Sequence, residues 1–121
     1  EFAAAVVSKV NGCICCASVH ARKASQYAKA RRPDVEKLLS TAPGSILAEG
    51  FDERLTAITD LAAFLSATPI QADTQQIETL RKLGLSELEL LDLIQSSAFF
   101  SWANRLMLSL GEPFEITEGK E

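Results

Sequence analysis

The stretch EFAAAVVSKVNGCICCASVH (residues 1–20) contains the pattern that decides the fold. Its first half is apolar and rich in alanine, which is typical of a buried helix. Asn11 and Gly12 interrupt this pattern, because Gly suits a helix C-terminus and Asn is a good cap. We expect a second helix to begin near Cys13 and to run to about Ala30. The opening of the chain therefore predicts two consecutive helices.

The rest of the sequence carries helix signals and almost no strand signals. It has no run of alternating β-branched residues and no Asn-Gly hairpin between such runs. Apolar residues instead recur at helical spacing, and Gly or Pro separates the segments. After Pro33 we predict a short helix from Asp34 to about Ser40 and then a loop from Thr41 to Gly50. A helix capped by Asp52 follows from about Glu53 to Ala67, and the next helix is capped by Asp73 or Thr74 and closed by Gly84. The capping box Ser86-x-x-Glu89 opens a long helix that ends near Ser109. The fold class is therefore all-α, with about six helices.

Length and composition describe one small globular domain. The chain has 121 residues, of which 47% are apolar, and its 16 acidic and 12 basic side chains give a net charge of −4. These proportions exclude disorder along the whole chain. No apolar run approaches the roughly 18–20 residues of a membrane span, and no signal peptide pattern is visible. We expect a cytoplasmic domain over residues 1–121, with residues 112–121 as a polar C-terminal tail and no membrane partner.

Charge is distributed unevenly along the chain. Residues 1–50 carry an excess of basic side chains, and residues 51–121 carry an excess of acidic ones. A surface that binds single-stranded nucleic acid combines clustered cations with aromatic side chains. Tyr27 is the only aromatic residue near the basic cluster. We therefore expect no nucleic-acid partner.

The three cysteines and the single histidine all lie between positions 13 and 20. On a helix with about 100° per residue, Cys13, Cys16 and His20 share one face, whereas Cys15 projects elsewhere. A disulfide framework staples distant segments, so this clustering is not one. It favours redox chemistry or a metal site.

A helix N-terminus suits a reactive thiol. Its free N–H groups and positive dipole end stabilise a thiolate, and we therefore expect a lowered cysteine pKa here. His20 follows Cys16 by four residues and can hydrogen-bond the sulfur or relay a proton. A carboxylate nearby would hold the imidazole or accept its proton.

Glu1 precedes Cys13 by twelve positions and completes a pattern of Glu, eleven residues, Cys, two residues, Cys, three residues and His. This pattern resembles the active site of the AhpD-like (alkylhydroperoxidase) branch of the carboxymuconolactone decarboxylase superfamily. The second half of the chain is similar to peroxidase-related members of that branch, in the segments FDERLTAITDLAAFLS, LRKLGLSELELLDLI, AFFSWANRL and LGEPFE. The resemblance covers nearly the whole chain.

The resemblance implies a thiol-dependent, peroxiredoxin-type antioxidant oxidoreductase on an AhpD-like helical domain. It makes Cys16 the peroxidatic thiol, Cys13 the resolving thiol, and His20 with Glu1 the proton relay. The substrate would be a hydroperoxide, and the reductant a dithiol such as a lipoylated protein. No cofactor or metal is implied. The family forms trimers or hexamers, so we expect a homo-oligomer, with a dimer as the smaller alternative.

Two features depart from the family pattern. The best-known member has a His directly before its second cysteine, where this chain has Cys15. One relay group is therefore missing, which bears on peroxidase efficiency. Family chains also have further helices before the Glu, so we expect that this domain lacks upstream helices. Alternatively, Glu1 and Phe2 are residues left by cloning, and the match at Glu1 is a coincidence.

Other interpretations of the cysteines remain open. Structural zinc requires four ligands, usually as two separated pairs, and Cys15 is the remaining thiol here. The cysteines could instead pack a core as small apolar residues. Either case gives a non-catalytic oligomeric helical protein as the alternative function. Decarboxylase chemistry is a third reading, but superfamily members with that activity generally lack the Cys pair.

Large apolar residues cluster near the end of the long helix. They fall largely at helical spacing, and are Phe99, Phe100, Trp102, Leu106 and Leu110. An amphipathic helix places such residues in a core or a subunit interface. They could also roof the thiol pocket and select apolar hydroperoxides.

Overall fold

The computed structural model describes residues 1–42 and 47–111. Within these ranges the chain is all-helical and has no strand, which confirms the predicted fold class. The helices are α1 (Phe2–Asn11), α2 (Ile14–Tyr27), α3 (Arg32–Ser40), α4 (Glu53–Ser66), α5 (Thr74–Lys82) and α6 (Glu87–Leu110), with a short 3-10 helix at Lys29–Arg31. Two predictions lie outside the described residues: the polar tail at 112–121 and the Pro43-Gly44 part of the loop.

The membrane prediction can be checked on the same part of the chain. No helix among the described residues is both long enough and apolar enough to cross a bilayer.

Helix α1 is the centre of the fold. Its residues 3–8 are all buried, and it packs against α2, α4 and α6. Because three of these side chains are alanine, neighbouring helices can approach its backbone closely. The Ala-rich opening of the sequence is thus the buried element that the other helices cover.

A tight turn joins α1 to α2. Gly12 has a φ of 76°, in the left-handed region that favours glycine. Its N–H donates to the Lys9 carbonyl at 3.2 Å, and the N–H of Cys13 donates to the Ser8 carbonyl at 2.9 Å. This is the usual way in which a glycine ends a helix and satisfies its last carbonyls. It places Cys13 as the first residue after the turn.

Helix α2 ends earlier than predicted. It stops at Tyr27 rather than near Ala30, and Ala28 leaves helical geometry with φ −132° and ψ 76°. Pro33, in the first turn of α3, has no N–H to donate to a preceding turn, so one helix could not run through this region. The chain changes direction through the short 3-10 helix instead.

The predicted caps of the later helices are confirmed. Asp52 accepts a hydrogen bond from the N–H of Leu55 at the start of α4. Asp73, rather than Thr74, caps α5 in a capping box with Gln76. Ser86 opens α6 in the predicted box with Glu89.

Four of the five large apolar residues near the end of α6 do not enter the core of the chain. Phe99, Trp102, Leu106 and Leu110 are all exposed. Phe100 is half-buried and packs against the core. We expected these residues in a core or in a subunit interface, and a place in the core is wrong for the four exposed ones. Only one face of α6 packs against α1 and α4.

Candidate thiol site

Cys13 and Cys16 lie at the start of α2. Cys13 is the N-cap residue of this helix and Cys16 lies in its first turn. Both are buried, with 1% and 6% of their surfaces exposed. Their thiols are free, with no disulfide between them, and Cys13 is close enough to Cys16 to influence its titration. The two cysteines are thus neighbours, and each exposes very little of its surface.

Burial dominates the acidity of Cys16. It raises the pKa of this thiol to about 11, and the neighbouring Cys13 adds to the rise, whereas a hydrogen bond with Asn104 opposes it. The lowered pKa that we expected from the helix N-terminus is therefore wrong for Cys16. The loss of water around the sulfur outweighs the stabilisation that the helix end offers a thiolate.

Met107 covers Cys16 from the side of α6. The thiol of Cys16 donates to the Met107 Sδ at 3.0 Å. Met107 is half-buried, and its contact contributes to the burial of Cys16. Sequence reasoning missed this residue, and the signal available was that it is the single methionine of the chain.

Glu1 and His20 form a direct pair. Glu1 Oε2 lies 2.7 Å from His20 Nδ1, with side-chain exposures of 32% and 14%. The pair joins the N-cap of α1 to the middle of α2, nineteen positions apart in sequence. The structure thus brings together two of the four predicted site residues by a hydrogen bond and the other two as adjacent thiols.

The Glu1 carboxylate is stabilised in its charged form. Burial raises the pKa of Glu1, but the hydrogen bond with His20 and the positive charge of Lys23 contribute to lowering it, and the net shift is downward. An ionised carboxylate accepts only, so His20 donates from Nδ1, and in the neutral imidazole the lone pair is then on Nε2. This tautomer makes Nε2 the basic atom of the ring.

The His20 ring is held in place on its other side by Phe100. The two ring centroids lie 4.2 Å apart, in an edge-to-face arrangement of 65°. Phe100 thus restricts the orientation of the His20 ring.

A buried polar network backs the cysteines. Asn104, fully buried on α6, donates to Ser8 Oγ at 3.1 Å. Its Oδ1 accepts from Asn11 Nδ2 at 3.3 Å. The network connects α6 with the end of α1 next to the cysteine turn. The two hydrogen bonds make Asn104 a residue that packs α6 on α1.

A cavity of about 260 Å³ opens on the Cys13 side of the pair. Its lining includes Lys9, Cys13, Ile14 and Ala17, and Cys16 is not part of it. A small molecule in this cavity would therefore meet Cys13 before Cys16.

Metal binding finds no support in the described residues. Across residues 1–42 and 47–111, no group of three or more His, Cys, Asp or Glu side chains is placed to hold a metal ion. A zinc site would also need the thiol of Cys15. This residue is only half-buried, whereas Cys13 and Cys16 are buried. The zinc form of the alternative function lacks a ligand set in this part of the chain.

Comparison of the chain with protein-family models, with characterised proteins and with solved structures finds no match. The function must therefore be argued from the geometry and the residues of the site.

Proposed function

We propose that the protein is a thiol-dependent, peroxidase-like oxidoreductase that reduces hydroperoxides through Cys13 and Cys16. The observation that carries the proposal is the 2.7 Å contact between Glu1 and His20. It orients a basic imidazole nitrogen on the same helix as two adjacent free thiols. A carboxylate, an imidazole and a dithiol are the groups that peroxide reduction by thiols requires.

The reaction has two balanced steps. The Cys16 thiolate attacks one peroxide oxygen, the O–O bond breaks, and the leaving alkoxide takes up a proton to become an alcohol, which leaves a sulfenic acid on Cys16. The Cys13 thiol then attacks that sulfur, a disulfide forms, and the hydroxyl leaves as water. A dithiol reductant supplies two electrons and two protons to restore both thiols. A lipoylated protein is one reductant of this class.

A proton relay through His20 and Glu1 would offset the high pKa of Cys16. With a pKa of about 11, only roughly one Cys16 in ten thousand is a thiolate at pH 7. A general base that removes the proton as the peroxide binds would overcome this deficit. His20 Nε2 is the candidate base, since His20 lies one helical turn after Cys16. Glu1 stabilises the imidazolium that results.

Membership of the AhpD-like branch is part of this proposal. It is supported by the spacing of Glu1, Cys13, Cys16 and His20 and by the Glu1–His20 contact. The replacement of the family histidine by Cys15 removes one relay group, so we expect slower peroxide turnover than in a site with that histidine. A cytoplasmic location agrees with free, reduced thiols.

We also propose that the protein is a homo-oligomer, as a trimer or hexamer, with a dimer as the smaller alternative. Support comes from the outer side of α6, where Trp102 is 58% exposed and Phe99 is 55% exposed. Contiguous exposed apolar side chains of this size usually mark an interface.

Peroxide turnover by thiol variants tests the proposal. With an organic hydroperoxide and a dithiol reductant, Cys16→Ser should abolish turnover, and Cys13→Ser should accumulate a sulfenic acid or a mixed disulfide. Cys15→Ser is the matched control, because it removes the half-buried neighbouring thiol and should leave turnover within about twofold. Unchanged turnover in Cys16→Ser would overturn the assignment.

A second candidate is the non-catalytic helical protein whose cysteines only pack. The burial of both cysteines and the raised pKa of Cys16 favour it, since inert structural cysteines have these properties. A free-thiol count with and without mild peroxide separates the two. Loss of two thiols and an intramolecular Cys13–Cys16 bond support the enzyme; full retention of all thiols supports packing.

A further inference from the structure

The cavity at Cys13 continues into a longer groove, which we call the α2–α3 groove. It has a volume of about 580 Å³ and is lined by Ala21, Arg22, Lys29 and Val35 among others. Both the cavity and the groove are lined by Ser18 and Leu39, so the two meet at these residues.

The cavity and the groove together extend along α2. Along this helix their lining extends from Ile14 to Gln26, which corresponds to about 18 Å at the helical rise of 1.5 Å per residue. An elongated ligand fits this shape better than a compact one.

The floor of the α2–α3 groove is apolar. Ala21 and Val35 lie at its base and are almost fully buried, at 1% and 2% exposure. Leu39, which is exposed, forms the edge where the groove meets the cavity. An alkyl chain laid along this floor would remove apolar surface from water, which is favourable.

The far end of the groove is cationic. Arg22, Lys29 and Arg32 line it together with Glu36. Arg32 Nε donates to Glu36 Oε1 at 3.0 Å, so these two charges offset each other. Arg22 and Lys29 form no ion pair with any other residue of the described chain, which leaves two positive charges facing this end.

The cation at the Cys13 end is already engaged. Lys9 Nζ donates to the Leu39 carbonyl at 2.6 Å. This bond leaves the charge of Lys9 in place, but two cations, Arg22 and Lys29, line the other part of the groove. A negatively charged head group therefore finds the better complement at Arg22 and Lys29, and the tail is directed toward the Cys13 end.

We propose that the groove binds a long-chain fatty carboxylate, with its carboxylate between Arg22 and Lys29 and its alkyl chain directed along Ala21 and Val35 toward Cys13. The apolar floor, the two unpaired cations and the length of the groove each match one part of this ligand. The binding is non-covalent and does not rest on the peroxidase proposal.

Dodecanoate, used below its micellar concentration, is the first probe. Isothermal calorimetry with the full chain should give one saturable site. Arg22→Gln combined with Lys29→Gln should weaken binding by about tenfold, since each exposed cation contributes modestly. Lys23→Gln combined with Lys82→Gln is the control, because it removes the same charge from exposed lysines outside the groove and should change affinity by less than about twofold. Equal weakening by both pairs, or no saturable binding, would overturn the proposal.

Head-group specificity is the second arm. Dodecyltrimethylammonium has the same chain with a positive head group, and it should bind at least about tenfold more weakly than dodecanoate. Comparable affinity for the two would mean that the cations do not select the ligand, and the proposal would fail.

The third arm places the chain of the ligand. In a variant with Cys15→Ser and Cys16→Ser, Cys13 is the only thiol, and dodecanoate should slow its alkylation by iodoacetamide several-fold as the site saturates. Ser18→Trp, at the exposed junction of cavity and groove, should abolish this protection. An alkylation rate that dodecanoate leaves unchanged at saturation would contradict the proposed direction of the chain.

Discussion

At Cys16, two local effects oppose each other. The position in the first turn of α2 favours a thiolate, and burial under α6 favours the neutral thiol. The position of both cysteines at the start of α2 could be predicted from the sequence, because the Asn-Gly turn and the helix signals after it are local. The burial of Cys16 could not, since it depends on Met107 and Asn104, which lie about ninety positions away.

Removal of the Met107 side chain should make Cys16 more reactive. Met107→Ala takes away the thioether at 3.0 Å from Cys16 Sγ, so water reaches the sulfur and the pKa of Cys16 falls from about 11. In a variant with Cys13→Ser and Cys15→Ser, alkylation of Cys16 at pH 8 should accelerate by about tenfold. Leu108→Ala, which truncates an exposed neighbour, should leave the rate unchanged. A slow rate in Met107→Ala would show that Met107 does not control access.

The raised pKa of Cys16 also predicts how stability depends on pH. The folded protein holds this proton more tightly than the unfolded chain, whose thiol titrates near 9.0. The stabilisation is therefore complete below pH 9 and is lost as the pH rises through about 11. We expect the free energy of unfolding, measured by urea denaturation between pH 8 and 11, to fall more steeply with pH in the native chain than in Cys16→Ala. Cys15→Ala should decline like the native chain; equal slopes for all three would contradict the shift.

Replacement of the Glu1 carboxylate should slow the proposed peroxide reduction. Glu1→Gln removes the charge that holds His20 Nδ1 at 2.7 Å, and we expect a loss of about 10² in turnover, the usual magnitude for a lost acid–base partner. Asp92→Asn, an exposed carboxylate on α6, is the charge-matched control. Turnover that survives Glu1→Gln intact would remove the relay from the mechanism.

At the scale of elements, α1 connects the site with the core. Its Ala-rich face packs in the interior, and its end carries the Gly12 turn that sets the start of α2. The capping boxes and the turn were predictable because each depends on residues adjacent in sequence. The early end of α2 was not, because helix-favouring composition continues past Tyr27 while tertiary packing and Pro33 redirect the chain.

The Asn104 network should contribute measurably to the packing of α6 on α1. Asn104→Leu leaves Asn11 and Ser8 without their buried partner, and the free energy of unfolding should fall by about 1–3 kcal/mol. Arg105→Ala changes the exposed neighbour and should cost less than about 0.5 kcal/mol. Urea denaturation measures both. A loss below about 0.5 kcal/mol in Asn104→Leu, which is the size of a typical surface substitution, would mean that the network does not stabilise the fold.

At the scale of the whole molecule, α6 has two different faces. One packs against α1 and α4, and the other exposes apolar side chains that a solitary chain would leave in water. The sequence predicted the helix and its large apolar residues, but helical spacing alone cannot distinguish an internal core from an interface, since both require an apolar stripe.

Charge placed on the exposed face of α6 should dissociate the proposed oligomer. Trp102→Asp puts a carboxylate on the apolar patch formed with Phe99, whose ring centroid lies 5.6 Å from that of Trp102. Sedimentation velocity should then show a smaller species than the native chain, because an unpaired buried charge is costly at an interface. Gln95→Asp, on an exposed position of the same helix, is the control. An unchanged sedimentation coefficient in Trp102→Asp would exclude this face as the interface.

Cys13 belongs both to the thiol pair and to the wall of the 260 Å³ cavity. A disulfide bond to Cys16 would require the Cys13 sulfur to move, and this movement would change the shape of the cavity. Any molecule that occupies the cavity and prefers one shape must therefore shift the reduction potential of the pair, and the redox state must change the affinity of that molecule by the same factor. Ligand binding in the cavity and disulfide formation between Cys13 and Cys16 would thus be thermodynamically linked.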